Sequence, residues 1–167
     1  PPDGRTALLV GGGTGLPPLV FLGQRLRAAG RAVVLLAGAR TAAKHLPDAL
    51  LAASSSRLER STDDGTCGHA GLVTDLLDAE FDRLDACAVY GCGPAAMLRE
   101  VAARCRRRGI PCQVSLEEYM ACGIGVCMGC VVAVSSPEPA SEYDQYQRVC
   151  VRGPVFDAAI VDWDRHG

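Results

Sequence analysis

Four cysteines constrain this chain most, because their spacing prescribes a small metal-binding module. Cys122, Cys127 and Cys130 are separated by four and then two residues, and Cys150 follows at a distance. This is the C-x4-C-x2-C…C spacing of plant-type 2Fe-2S proteins, in which a tight loop wraps the cluster and a fourth thiolate comes from another segment. Glycines interleaved with the first three cysteines give such a loop the backbone freedom it needs. The spacing therefore predicts a 2Fe-2S cluster on these four residues.

Two other interpretations of the cysteines stay open. Structural zinc uses the same soft thiolates, although ribbon-type zinc sites usually carry two C-x2-C knuckles and this chain has one. The four cysteines could also be merely buried thiols, although three of them within nine residues, interleaved with glycine, would fill a core poorly. Cys87, Cys105 and Cys112 lie in predicted strands or helices and are most simply buried thiols. The total of nine cysteines is odd, which argues against a disulfide framework.

Apolar runs that alternate with helical patterns define the rest of the chain. We predict strands at Thr6–Val10, Ala32–Ala37, Leu58–Thr62, Ala86–Tyr90 and Cys112–Leu116, and helices at Leu16–Ala29, Thr41–Ala53, Leu72–Ala79 and Ala95–Arg108. Strands joined by helical crossovers form a parallel sheet covered on both faces. Residues 1–116 are therefore predicted to be a doubly wound α/β domain.

The character of the sequence changes after residue 116. Residues 117–167 are predicted to be a small loop-rich module with β-like stretches at Val131–Val134 and around Val149. The polar segment Ser135–Gln147, which contains two prolines, is predicted to be an exposed excursion.

A glycine-rich turn follows the first predicted strand. Gly11, Gly12, Gly13, Thr14 and Gly15 stand where a parallel α/β sheet holds a pyrophosphate against backbone amides and a helix N-terminus. The turn does not satisfy G-x-G-x-x-G, so the ordinary dehydrogenase fingerprint is absent. A tight turn without a ligand is the alternative. Arg40, just past the second strand, is either solvated or close to the adenosine end of a nucleotide, where a 2′-phosphate preference stays open.

Charge and hydropathy limit the classes of partner. The formal net charge is −2, with 17 basic and 19 acidic residues, so no basic surface for nucleic acid or anionic membranes is expected. No apolar stretch approaches the roughly 18 residues needed to span a bilayer, and no signal peptide is recognisable. We expect a cytoplasmic protein. The chain lacks an initial methionine and reaches a predicted strand at once, so we also expect a preceding segment in the full protein.

With these residues in hand, the chain resembles the ferredoxin reductase-like flavoprotein family, and within it the electron-transfer subunits of class B dihydroorotate dehydrogenases. The resemblance covers essentially the whole chain. It rests on LLVGGGTGLPPL at Leu8–Leu19, AGAR at Ala37–Arg40, STDDGTCGHAGLVTDLL at Ser61–Leu77, YGCGPAAML at Tyr90–Leu98, SLEEYMACGIGVCMGCVV at Ser115–Val132 and RVCVRGPVF at Arg148–Phe156.

The resemblance implies residue roles. It places the glycine turn on the pyrophosphate of NAD, the segment Gly91, Cys92, Gly93 and Pro94 beside the nicotinamide, and Asp63 and Asp64 toward the adenosine, although these two carboxylates could equally cap the following helix. The four cysteines carry over as cluster ligands without substitution. The implied family fold is a ferredoxin reductase-type NAD-binding domain followed by the 2Fe-2S module.

The resemblance also implies a relay. Dihydroorotate would be oxidised at FMN in a separate catalytic subunit, and electrons would pass through the cluster and FAD to NAD, in a complex expected to be a heterotetramer. Alternatives are the small subunit of an NADH-dependent ferredoxin:NADP oxidoreductase, a sulfhydrogenase-type diaphorase, or, in another class, a zinc-stabilised interaction domain. Members of the family carry an N-terminal FAD-binding β-barrel, and we expect this barrel to be missing from the given chain. The loop between Cys130 and Cys150 is long for the family, and Arg152 replaces a common acidic residue.

Overall fold

A seven-stranded sheet organises the molecule, as described by a computed structural model that covers residues 5–85, 87–135 and 141–166. The strands are β1 Thr6–Gly12, β2 Val33–Ala39, β3 Arg57–Thr62, β4 His69–Ala70, β5 Cys87–Cys92, β6 Cys112–Ser115, β7 Val131–Ala133, β8 Tyr146–Arg148 and β9 Val155–Asp157. The sheet order is β4-β3-β2-β1-β5-β6-β9, parallel except for β9, which runs antiparallel to β6. Strands β7 and β8 form a separate antiparallel pair.

Helices cover both faces of this sheet. They are α1 Leu16–Ala28, α2 Asp48–Ser54, α3 Leu77–Arg83, α4 Ala95–Arg108 and α5 Val149–Arg152, with short 3-10 turns at Gly13–Gly15, Ala42–Lys44, Val73–Leu76 and Glu142–Gln145. Alternate residues of β1 enter two cores: Leu9 packs with α1 and α2, whereas Leu8 packs with α3 and α4. This arrangement confirms the predicted doubly wound α/β fold.

The chain direction across the sheet reverses beside β1. From β1 the chain adds β2 and then β3 on one side, and later adds β5 and β6 on the other. The carboxyl ends of β1 and β5 therefore flank the point where the connections diverge, which is where open parallel sheets bind ligands.

The C-terminal residues pack onto the same core. Val132, Val149 and Phe156 are buried in the cluster that also holds Val114 of β6 and Leu98 of α4. A further antiparallel bridge joins Val134 to Val161. The domain boundary at residue 116 stays a prediction. Across the described ranges, no helix is both long and apolar enough to cross a membrane.

Several predicted elements differ from the structure. The helix predicted at Thr41–Ala53 is wrong in its first half, because Pro47 lacks an amide hydrogen and disfavours helical backbone before it; only α2 after Pro47 is helical. The β-like stretch around Val149 is wrong from Val149 onward, since the short helix α5 begins there after β8.

Three further differences are smaller. The excursion predicted over residues 135–147 ends earlier, because residues 146 and 147 belong to β8, and its residues 136–140 lie outside the described part, as does residue 86 of the predicted fourth strand. The short strand β4 and the antiparallel β9 were not predicted. The helix predicted at Leu72–Ala79 is a 3-10 turn followed by α3.

Candidate functional site

A cleft of about 670 Å³ opens at the carboxyl edge of the sheet. It lies against the ends of β1, β2 and β3, the turn that precedes α3 and the first turns of α4. Its lining residues are Gly12, Gly13, Thr14, Gly38, Ala39, Arg40, Lys44, Asp63, Leu72, Val73, Thr74, Pro94, Ala96, Met97 and Glu100. This size suits a cofactor or small-molecule ligand.

The glycine turn forms one wall of the cleft. Gly13 has a left-handed φ of 56°, and a Cβ there would meet nothing within 4 Å, so its backbone is open to the cleft. A Cβ on Gly15 would stand only 2.1 Å from the carbonyl oxygen of Cys92. Glycine therefore lets the start of α1 pack directly against the end of β5. The result is a helix N-terminus with exposed backbone beside the cleft, the geometry that favours a phosphate group.

Three charged side chains line the cleft near the ends of β2 and β3. Arg40, Lys44 and Asp63 all line this end of the cleft. Asp64 does not; its Oδ1 accepts hydrogen bonds from the hydroxyl and the backbone N–H of Thr66, at 2.6 and 3.0 Å. The Thr66 hydroxyl, followed by its backbone amide, lowers the pKa of the Asp64 carboxyl. Asp64 thus organises its own turn, while Asp63 faces the ligand space.

The segment after β5 forms the other wall. Pro94 lines the cleft, but Cys92 is buried in the core beside α1, and burial raises the pKa of its thiol. Gly93 adopts a φ of 154°, and a Cβ there would lie 2.7 Å from Cε of Met97 and 3.1 Å from the carbonyl oxygen of Gly12. The two glycine segments therefore approach closely, with the Met97 thioether beside both.

Sequence reasoning missed the side chains that α4 and the 3-10 turn Val73–Leu76 contribute. Thr74, Met97 and Glu100 line the cleft; Thr74 and Met97 fall within segments that carry the family resemblance, but no role was predicted for any of the three. The available signal was positional: Met97 and Glu100 follow the strand β5 at the start of α4, and residues just after parallel strands converge at one edge of a sheet.

The four predicted ligands come together as two pairs. The sulfurs of Cys130 and Cys150 are 3.2 Å apart, and all nine cysteines are free thiols. The Cys127 side chain hydrogen-bonds the Cys122 sulfur. The pairs are neighbours, because a Cβ on Gly125, inside the first loop, would lie 4.0 Å from the Cys150 sulfur. Among the described residues, no group of three or more His, Cys, Asp or Glu side chains forms a metal-binding arrangement.

The loop between Cys122 and Cys127 turns its amides toward sulfur. Gly123 and Gly125 have left-handed φ values of 67° and 81°. The backbone N–H groups of Cys127, Ile124 and Val126 donate to the Cys122 sulfur, and with the Cys127 side chain they hold the pKa of this thiol down at about 6. The backbone of Cys150 likewise lowers the pKa of Cys130, while the nearby Cys130 thiol raises that of Cys150. Thiolates are the metal-binding form, so this environment fits a metal or cluster.

Apolar side chains surround this loop and face outward. Tyr119 and Ile124 are each more than 80% exposed, at 82% and 81%, and Val126, Met128 and Val151 are also exposed. Large apolar residues grouped on a surface mark an interaction site more often than a solvated face.

Comparison with known proteins assigns the larger part of the chain. Residues 9–103 match the model of the oxidoreductase NAD-binding domain. The chain belongs to this family. Further along the chain, residues 117–162 match a second model, the iron-sulfur cluster binding domain of dihydroorotate dehydrogenase B. The cleft lies within the first match, and the paired cysteines lie within the second.

Individual relatives agree with both matches. The chain is 44% identical over 163 residues to the electron transfer subunit of dihydroorotate dehydrogenase B (NAD(+)) from Bacillus caldolyticus, covering 96% of this chain and 58% of that protein. It is 34% identical over 164 residues to the subunit of the same name from Desulforamulus reducens, covering 98% of this chain and 61% of that protein.

A solved structure is also similar over the whole chain. The NADH-dependent reduced ferredoxin-NADP oxidoreductase superposes with a TM-score of 0.82 at 34% identity, covering 96% of this chain and 55% of that chain. The chain spans just over half the length of the curated relatives that it matches. These matches confirm the resemblance drawn from the motifs, and they confirm a nucleotide-binding fold joined to an iron-sulfur module.

Proposed function

We propose that this chain is the C-terminal part of an electron-transfer subunit of a class B dihydroorotate dehydrogenase. In the proposed reaction, dihydroorotate loses two electrons and two protons at FMN in a partner subunit, and NAD gains a hydride. The observation that carries the proposal is the pairing of Cys122 with Cys127 and of Cys130 with Cys150, on the same core as a nucleotide cleft.

The two thiol pairs suit a binuclear cluster. Each iron of a 2Fe-2S cluster takes two protein ligands, so we assign Cys122 and Cys127 to one iron and Cys130 and Cys150 to the other. A single zinc ion would instead need four thiolates around one centre. The amides that converge on Cys122 supply the hydrogen bonds that such sulfurs accept.

The cleft would hold the nicotinamide nucleotide. We assign its pyrophosphate to the backbone of Gly12, Gly13 and Thr14 at the start of α1, its adenosine to the end lined by Arg40 and Asp63, and its nicotinamide to the Pro94 end. Gly11 and Gly15 serve by packing. Because the Cys92 side chain is buried in the core, its neighbours Gly91 and Gly93 would contribute their backbone to the nicotinamide end.

A flavin is needed between the two sites. Nicotinamide accepts two electrons as a hydride, whereas a cluster carries one electron at a time. A bound flavin can do both, so it connects the two sites. We propose FAD in this role, held mainly by the part of the full-length protein outside this chain. The exposed apolar side chains around the cysteine loop, Tyr119 and Ile124 among them, would dock the FMN subunit, in a heterotetramer. Nine free thiols suit a location in the reducing cytoplasm.

A second function is favoured by one specific observation. The similarity to the NADH-dependent reduced ferredoxin-NADP oxidoreductase extends over 96% of the chain, with a TM-score of 0.82. A subunit of such an enzyme would carry the same cleft and the same paired cysteines, but would exchange electrons with ferredoxin and NADP instead of dihydroorotate.

Donor specificity separates the two functions. The full-length protein, purified anaerobically with its FMN subunit, is mixed with dihydroorotate while flavin absorbance and the EPR signal of the reduced cluster are followed. The pyrimidine function predicts that dihydroorotate bleaches the flavins, that the cluster signal appears, and that added NAD is reduced. If dihydroorotate leaves both centres oxidised while reduced ferredoxin reduces them, the second function replaces the first.

A matched pair of variants locates the relay in that experiment. Cys127→Ser removes one proposed ligand, so NAD reduction should fall to background while dihydroorotate still reduces FMN. Cys67→Ser removes a partly exposed thiol outside the two pairs, so NAD reduction should stay close to that of the parent protein.

A further inference from the structure

Arg148 occupies the junction between the two cysteine-bearing segments. It is the last residue of β8, where it pairs with Val131, the residue after Cys130. The N–H of the next residue, Val149, donates to the carbonyl oxygen of Cys130 at 2.9 Å. The backbone thus fixes the start of the Arg148 side chain between Cys130 and Cys150.

The guanidinium of Arg148 reaches across to the other cysteine loop. Its Nη1 donates a hydrogen bond to the carbonyl oxygen of Gly125, midway between Cys122 and Cys127. The same loop residue lies beside Cys150, because a Cβ on Gly125 would be 3.9 Å from Nη1 of Arg148 and 4.0 Å from the Cys150 sulfur. A single cation therefore contacts the loop of one cysteine pair and stands beside a member of the other.

The carbonyl oxygen that Arg148 contacts belongs to the peptide unit between Gly125 and Val126. The oxygen of Gly125 and the N–H of Val126 are the two ends of one amide, which lies in the loop between Cys122 and Cys127. A cationic donor on the oxygen polarises the amide and makes the N–H at its other end a stronger donor. It also holds Gly125 in its left-handed conformation, with φ 81°.

We propose that Arg148 is a positioning residue that raises the reduction potential of the cluster, an inference that rests on the proposed function. Reduction adds one electron to the cluster, and therefore one negative charge. A fixed cation beside Cys150, together with a polarised amide in the loop between Cys122 and Cys127, stabilises that added charge. Arg148 contributes to electron flow by setting the potential, and it touches no substrate.

Redox titration of four full-length proteins tests the role. Parent, Arg148→Gln, Arg148→Lys and Arg152→Gln proteins are loaded anaerobically, assayed for iron and acid-labile sulfide, and titrated by EPR. Arg152 is the matched control, because it is an exposed cation two residues beyond Cys150, whereas the contact to Gly125 is made by Arg148. The Arg152→Gln variant therefore removes the same charge and leaves the contact to Gly125 in place.

Arg148→Gln should lower the ratio of reduced to oxidised cluster about tenfold at a fixed ambient potential, a shift of about 59 mV for one electron. Arg148→Lys should recover part of that shift, because it restores the charge without the planar fork. Arg152→Gln should change the ratio less than about twofold, because its charge is exposed to solvent screening.

The outcomes separate this inference from the proposed function. If the parent protein contains no iron and sulfide, the proposed function fails first. If the parent is loaded and Arg148→Gln has the parent potential, only the role of Arg148 is overturned. If Arg148→Gln cannot retain a cluster, Arg148→Lys decides: a lowered potential supports the role, and an unchanged one overturns it.

Discussion

Gly15→Ala should destabilise the nucleotide domain strongly, although alanine suits the local backbone. Gly15 has helical dihedrals, φ −77° and ψ −12°, so the new side chain adds no conformational strain. Its Cβ would stand 2.1 Å from the Cys92 carbonyl oxygen, where 3.4 Å or more is ordinary contact. The obstacle is backbone, so α1 and β5 must separate. Overpacking costs about 1 to 3 kcal/mol, and this rigid contact places the cost at about 3 kcal/mol.

Thermal unfolding of the nucleotide-free full-length protein measures that cost. A loss of about 3 kcal/mol lowers the midpoint by about 6 to 12 °C for a domain of this size. Gly12→Ala is the matched control, because its Cβ would meet the flexible Met97 sulfur at 3.1 Å and make ordinary contact with Pro94 Cδ at 3.6 Å, so it should cost about 1 kcal/mol. Equal midpoints for the two variants would refute the close packing of α1 against β5.

Three further predictions concern other parts of the molecule. Glu80→Gln should lower the free energy of unfolding by about 1 to 2 kcal/mol in urea titrations, because the buried carboxylate pairs with the partly exposed Arg57. An unchanged free energy of unfolding would show that this ion pair does not stabilise the fold. Burial, then Arg60, lowers the pKa of His45 below its ordinary 6.5, so the unfolded chain binds the proton first. The stabilisation is therefore fully present above about pH 6.5 and is lost on acidification. In the His45→Gln variant, the urea midpoint of unfolding should change less between about pH 7 and pH 5 than in the parent protein; the same change in both proteins would contradict this. Gly125→Ala should reduce iron content far more than Gly123→Ala, since both have positive φ but only the Gly125 Cβ would clash, at 2.5 Å from Val151; equal iron contents would count against the loop geometry.

Local sequence patterns predicted most of the sheet and helices for a physical reason. Strands buried on both faces need continuous apolar runs, as β1 and β2 have, and α4 has an amphipathic pattern that ends at Gly109, whose left-handed φ of 64° terminates the helix. The bounds of α4 were predicted to the residue. The two-residue β4 and the antiparallel β9 are too short to show a period, because tertiary pairing alone defines them.

The site was predictable in its residue types but not in its contacts. Cysteine spacing indicated all four candidate ligands, yet the pairing of Cys130 with Cys150 depends on β7 and β8 lying side by side. The contact of Arg148 with Gly125 joins residues 23 positions apart, and no local pattern encodes it. The burial of Cys92 likewise follows from the direction in which β5 turns that side chain, toward α1.

Iron and acid-labile sulfide content, with EPR of the reduced full-length protein, tests the central claim most directly. The account predicts two irons and two sulfides per chain, as a 2Fe-2S cluster requires, and a signal that appears on one-electron reduction. Cys150→Ser should lose them, whereas Cys67→Ser should keep them. One zinc per chain, with no iron and no visible absorption, would contradict the account.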